Sequence, residues 1–222
     1  MLNRIAFLSI LRSIINIVAS SAYNSPRRQE AAAQTRQAVL DAARKLFVER
    51  GYLATTIQDI ASAARVATAT VYTSVGGKPQ LLRELIAATT GEARQRGAAD
   101  PSAPVTDPIR LVGDCVAGIR RAVQDHGDIA ELLMTTAHSD AGAAQTAAAS
   151  EEAFRGELGE IATRLQRLEA LDGSIADAVD VLAYYLGYPS WRRLVHDFGW
   201  SLDAAQAWLT RRIIEVLVTA AR

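Results

Sequence analysis

A single cysteine, Cys115, stands in the 222 residues. That excludes an internal disulfide and the small stapled scaffolds that depend on one. Aromatic residues are scarce, and no stretch alternates β-branched and polar residues with the period of two that a half-buried strand needs. No uninterrupted apolar run approaches the roughly 20 residues that cross a bilayer. Net charge is absent too: 24 basic and 24 acidic side chains cancel, so the chain as a whole is no polycation. His126, His138 and His196 are scattered, and no Cys, Asp or Glu joins them at metal-ligand spacing, so no metal and no cofactor is expected. A nucleophile–base pair and a glycine-rich phosphate loop are likewise missing. Gly76-Gly77 is too short for such a loop and is accounted for by a turn, which argues against an enzyme.

What is present points one way. Half of the residues are apolar, alanine is abundant, and apolar positions recur at spacings of three and four. The expected fold is all-α. The charge is uneven. Residues 27–78 hold eight basic side chains (Arg27, Arg28, Arg36, Arg44, Lys45, Arg50, Arg65, Lys78) against four acidic ones (Glu30, Asp41, Glu49, Asp59). A basic end on a neutral protein suits a phosphate-backbone partner better than a membrane.

Residues 1–26 read as an N-terminal extension. Ile5, Leu8, Leu11, Ile15 and Val18 could line one helix face. Arg12 interrupts that face, so neither a signal peptide nor a stable membrane anchor is expected. A translation start at Val18, leaving a short polar arm, is the plainer expectation. Residues 29–50 form a helix with Val39, Ala43, Leu46 and Phe47 as its buried stripe and Gly51 as its C-terminal stop.

Residues 55–82, TTIQDIASAARVATATVYTSVGGKPQLL, are the centre of the reading. Thr56 and Asp59 have the spacing of a capping box that opens a short helix. A turn at Arg65-Val66 leads to a second helix over 68–74. Gly76-Gly77 end it, and Lys78-Pro79 open a third, with proline where its missing N–H is harmless. This is the layout of a helix-turn-helix, whose second helix enters the DNA major groove. Residues 27–97 are therefore the expected DNA-binding domain with its connecting helix, and 98–222 a second helical domain. Residues 98–108, with Pro101, Pro104 and Pro108, form the linker. Beyond it, Asp107 should cap a helix that Gly127 stops. Asp128 should cap a short helix through Leu132, Leu133 and Met134. Gly142 marks a break, Ser174 caps a further helix, Pro189 restarts it, Gly199 ends it, and the last helix should run over 203–221.

Several ordered matches give this stretch a resemblance. They are Leu46-Phe47 leading to Glu49-Arg50-Gly51-Tyr52, Thr55-Thr56-Ile57 followed by Ile60-Ala61, and Thr70-Val71-Tyr72 followed by Gly76, Lys78 and Leu81. Over residues 35–82 the chain resembles the N-terminal domain of the tetracycline-repressor (TetR) family of transcriptional regulators. The resemblance implies a cytoplasmic homodimer whose final helices pair into a four-helix bundle. It also implies a near-palindromic double-stranded DNA operator and a small-molecule effector that releases it. The effector is expected to be apolar, because few charges fall on the inward helix stripes. Three positions depart from the family pattern: Arg65 where glycine is usual in the turn, Val75 where an aromatic usually plugs the reading helix, and Thr68 where a large polar or charged residue is common. The last favours readout by hydroxyls and methyls over arginine–guanine forks.

The candidate DNA contacts are Thr56, Arg65, Thr68, Thr70, Tyr72, Thr73 and Lys78. Lys78 is expected on a phosphate, because a cation at a helix N-terminus conflicts with the macrodipole unless an anion sits there; for Tyr72, open between core and phosphate, the resemblance implies a phosphate contact. Thr56 is first a capping residue, and Arg65 is open between a DNA contact and a solvated turn. Candidate effector contacts are Cys115, Ile119, Leu133, Met134, Tyr184, Tyr185 and Trp191. Candidates for the dimer interface are Leu182, Leu186, Trp200, Trp208, Leu209, Ile213 and Val216. A helical enzyme without a recognisable motif, or a membrane-associated interaction protein built on the N-terminal segment, are the competing readings.

Overall fold

The computed structural model describes residues 26–97 and 106–219. The N-terminal apolar segment and most of the proline-rich linker lie outside them. The described residues are all-α, apart from one isolated antiparallel bridge between Leu171 and Val218. No described helix is long and apolar enough to cross a membrane.

Helix α1 (Pro26–Arg50) has no interior glycine or proline and buries Val39, Leu40, Ala43, Leu46 and Phe47 on one face. Gly51, at φ +85°, turns the chain, and Tyr52 folds back on Phe47 with ring centroids 5.0 Å apart. The buried Thr55 hydroxyl donates to the carbonyls of Gly51 (2.9 Å) and Leu46 (3.2 Å), tying the next segment to the end of α1. Helix α2 (Ile57–Ala63) opens with the complete capping box of Thr56 and Asp59. Helix α3 (Thr68–Ser74) has the expected bounds. Gly76 at φ +109° then swings the chain into α4 (Lys78–Gly97), which buries Leu81, Leu82 and Leu85.

In the second half, α5 (Pro108–Thr136) is capped by Asp107, as its Asp-Pro start suggests. Gly127 does not stop it, and Asp128 caps nothing: the helix runs unbroken through both. Gly127 lies inside the helix beside Tyr188, where a Cβ would sit 3.4 Å from Cε2, an ordinary van der Waals contact. Helix α6 (Ala141–Arg167) is capped by Asp140, so Gly142 lies inside its first turn rather than at a break. Helix α7 (Ile175–Leu186) is capped by Ser174. It ends at Gly187, where a Cβ would meet the Ala183 carbonyl oxygen at 2.8 Å. Proline restarts the chain as α8 (Tyr188–Arg192), which widens into a π-helical turn, Arg193–Asp197, and stops at Gly199 with φ +70°. Helix α9 (Leu202–Leu217) is capped by Ser201. It ends four residues short of the expected 221, because the Asp172 N–H bonds the Leu217 carbonyl and the Thr219 N–H bonds the Ala170 carbonyl, each at 2.9 Å. Those two bonds hold the chain extended.

Buried apolar side chains form two clusters. The first joins α1 to α4, but Ile129, Leu132 and Leu133 of α5 and Ala143 of α6 complete it. A unit of about fifty residues buries too little surface alone, and the α5–α6 corner supplies the missing wall. Leu133 therefore belongs to the core of the N-terminal head, not to an effector pocket. Arg44 reinforces the junction with a two-pronged bond to Asp128 (Nε 3.0 Å, Nη2 2.6 Å) and a bond to the Asp125 carbonyl at 2.8 Å. The second cluster surrounds the fully buried Trp191 and includes Leu182, Leu186, Leu209 and Ile213.

Candidate nucleic-acid interface

Two valines seat the reading helix. Val71 and Val75 are buried in the first core, and Val75 closes the end of α3 where a larger aromatic was the family expectation. The seating turns Thr68, Ala69, Tyr72 and Thr73 outward, with Thr70 half-buried beside them. No charge lies on α3. The hydroxyls of Thr68, Thr70 and Tyr72 make no hydrogen bond among the described residues, so their donors and acceptors face outward unspent. Thr73 differs: its hydroxyl donates to the Ala69 and Thr70 carbonyls at 3.1 and 3.2 Å, so it offers DNA mainly a methyl and a lone pair.

Arg36 of α1 fixes the far end of this helix. Its Nη1 donates to the Ser74 carbonyl at 2.6 Å and its Nη2 pairs with Glu84 of α4 at 2.6 Å. A cation against the last carbonyls of a helix also complements its dipole. Arg36 carries no motif of its own in the sequence. Its place one turn before the buried Val39 and Leu40 was the available signal. Arg27 and Arg28, exposed on the first turn of α1, are further cations of the same end.

Thr56 sits exposed at the start of α2, but its hydroxyl is engaged. It donates to Asp59 Oδ2 at 2.6 Å and accepts from the Asp59 N–H at 3.1 Å. Those bonds, the Thr56 hydroxyl first and its backbone N–H second, hold the Asp59 carboxyl below its ordinary value. A carboxylate lowered on folding stabilises the fold at pH above its ordinary value, and that contribution is lost as pH falls through the lowered one. Asp59→Asn should therefore flatten the acid limb of a stability–pH curve for the head. An unchanged acid limb would show that the box contributes no linkage.

Lys78 is not the unpartnered cation that its sequence position suggests. The turn after α1 carries Tyr52 beneath it, so Nζ lies 4.5 Å from the ring centroid and donates to the Leu53 carbonyl at 3.4 Å. Burial lowers its pKa, and the Asp140 carboxylate partly offsets that. Tyr52 is in turn pushed up to about 12, by burial first and by Asp140 second, with Arg83 opposing. Arg65 is exposed in the turn between α2 and α3, at φ +57°, so the left-handed conformation that a glycine would accept most easily is held here by arginine.

Residues 39–85 match the family model of bacterial regulatory proteins, tetR family. The chain carries a tetR-family DNA-binding domain. Solved structures extend the likeness to the rest of the fold. A transcriptional regulator from Saccharomonospora viridis in complex with choline superposes with a TM-score of 0.69 at 18% identity, covering 85% of this chain and 100% of that one. NalD, the secondary repressor of the MexAB-OprM multidrug efflux pump in Pseudomonas aeruginosa, gives 0.66 at 22% identity, covering 85% and 98%. The SmeT–triclosan complex gives 0.66 at 18% identity, covering 84% and 93%. No curated protein sequence matches the chain.

In the C-terminal half the expected effector residues do not gather around one cavity. Cys115, Ile119 and Tyr185 are half-buried against the second core, and Trp191 lies at its centre with no acceptor for its indole N–H. Met134 is half-buried in neither cluster, Leu133 is in the head, and Tyr184 is 75% exposed. Tyr184 is thus a surface residue rather than a pocket wall. The Cys115 thiol is pushed up to about 12, by burial first and by Glu157 second, which leaves it protonated and unreactive. A cavity of about 630 Å³ opens elsewhere, between α5 and α9, lined by Gly113, Arg120, Gln206, Thr210, Arg211 and Glu215 among others. None of these was singled out in the sequence.

The dimer candidates divide. Leu182, Leu186, Leu209 and Ile213 are at most 1% exposed inside a single chain. They pack α7 and α9 against their own neighbours and have no surface left for a second copy. Trp200 and Trp208 remain half-buried and Val216 is exposed. The two tryptophans belong to a row of edge-to-face rings, Tyr184–Tyr185–Trp208–Trp200, with centroid spacings of 5.4, 6.1 and 5.9 Å. This row lies along the junction of α7 and α9.

Proposed function

We propose that the protein is a cytoplasmic, ligand-responsive transcriptional repressor. It binds a near-palindromic operator as a homodimer and releases it when a small molecule occupies the C-terminal half. The observation that carries the reading is the uncharged outward face of α3, where Thr68, Thr70 and Tyr72 present unpaired hydroxyls beside the major-groove methyl code. Dimerisation is supported by the aromatic row on α7 and α9, since tryptophan and tyrosine are enriched among the residues that anchor interfaces. Effector binding is supported by the cavity of about 630 Å³ between α5 and α9. Relatives of the same fold hold choline in one case and triclosan in another.

Selection of genomic fragments by the full chain, followed by binding to the selected site and to a random duplex, tests the reading. Thr70→Ala is expected to weaken the selected site more than the random duplex. Equal losses on both would remove it from base readout. Lys78→Ala is expected to weaken both and to reduce the salt slope of binding by about 0.9, the signature of one phosphate. A slope that does not move would leave Lys78 as a purely structural partner of Tyr52.

A further inference from the structure

We propose that Arg65 grips a DNA phosphate, and that the chain keeps a strained backbone at the end of α2 in order to present it. The proposal rests on the DNA-binding reading above. Helix α2 ends in a Schellman motif: the Val66 N–H bonds the Ala61 carbonyl at 3.0 Å and the Arg65 N–H bonds the Ser62 carbonyl at 3.2 Å. The residue between the helix and Val66 must adopt a left-handed conformation, which suits glycine because an L side chain there crowds the following carbonyl. Arginine holds that position at φ +57°, and its guanidinium gains nothing inside the chain in return: it is exposed and makes no hydrogen bond or ion pair among the described residues.

Four cations of the head are engaged within the chain, while Arg27, Arg28 and Arg50 stand exposed on α1. Arg36 is held by Ser74 and Glu84, Arg44 by Asp128, Lys78 by Leu53 and Tyr52, and Arg83 by Gln80. Arg65 is the sole cation in residues 56–74, and it stands two positions before the N-cap of a reading helix that carries no charge. A guanidinium there supplies the electrostatic hold on the sugar-phosphate rail that α3 itself lacks, with a planar fork suited to phosphate oxygens.

The molecule holds its own control. Glu169 ends α6 in the same geometry, at φ +55°, with the Ala170 N–H on the Leu165 carbonyl at 3.0 Å and the Glu169 N–H on the Gln166 carbonyl at 2.9 Å. It shares the strain but belongs to the C-terminal half. Arg65→Gly, Arg65→Lys and Glu169→Gly in the full chain, each titrated with a random-sequence duplex over a range of salt, separate the two effects. Both glycine variants should raise the melting temperature by about 2–4 °C. Only Arg65→Gly should weaken DNA binding several-fold and lower the salt slope by about 0.9, while Arg65→Lys keeps the slope. An unchanged slope in Arg65→Gly would overturn the phosphate contact, and an unchanged melting temperature would overturn the strain. A loss confined to a selected operator, with the random duplex unaffected, would also overturn it and assign Arg65 to a base edge. Failure of the wild-type chain to bind either duplex would instead retire the DNA-binding reading on which this one stands.

Discussion

Phe47→Ala is expected to destabilise the DNA-binding head by about 3–5 kcal/mol. Phe47 is fully buried, and removing its ring leaves a cavity in a small core with little else to redistribute. The damage should spread along a specific path. Phe47 supports the Tyr52 ring, Tyr52 supports the ammonium of Lys78, and the turn that carries them also places Thr55 against the end of α1. Denaturant unfolding should show an early transition for the head, and DNA binding should be lost under conditions where the C-terminal half stays folded. A single unshifted transition with intact DNA binding would mean that the α5–α6 corner, not Phe47, dominates the stability of the head.

Charging the aromatic row is expected to have the other large effect. Tyr184→Glu combined with Trp208→Glu places two like charges on the junction of α7 and α9, where Tyr184 is exposed and Trp208 half-buried. If this face joins two copies, the variant should sediment as a monomer and lose about a hundredfold or more in affinity for a two-fold symmetric site, because the second head no longer binds as a tethered partner. The helical signal should persist, since neither side chain is fully buried. Truncating α9 would be a poorer experiment: Leu209, Ile213 and Leu217 are core residues of one chain, so the deletion would unfold the half it was meant to separate. A charged variant that remains a dimer would move the interface away from this face.

The head was largely legible in the sequence because its signals are local. Thr56 and Asp59 have side chains that can only reciprocate at that spacing, Gly51 and Gly76 mark real left-handed turns, and α3 occupies the expected residues. The strain at Arg65 followed from the same logic, since a turn of that geometry prefers glycine. What failed was long-range. Gly127 looks like a helix stop because glycine is a poor helix former, but α5 runs through it, packed beside Tyr188 some sixty residues away. Lys78 looked unpartnered because Tyr52 and Leu53 reach it only after the chain folds back. The apolar stripes of α7 and α9 announced burial without saying against what. Leu182, Leu186, Leu209 and Ile213 face their own chain, while the exposed or half-buried Tyr184, Trp200 and Trp208 carry the outward apolar surface. A period of three and four residues is the same for a core and for a dimer interface. Leu133 failed for a related reason: the core of the head borrows a wall from helices beyond the linker.

Two copies of this chain are expected to read one symmetric DNA site through α3. Sedimentation of the full chain with the duplex that it selects from genomic fragments tests this most directly. The expected result is an enriched near-palindrome bound by chains in multiples of two, with affinity lost when one half-site is scrambled. A single chain bound per duplex, or no sequence enriched over random DNA, would contradict it.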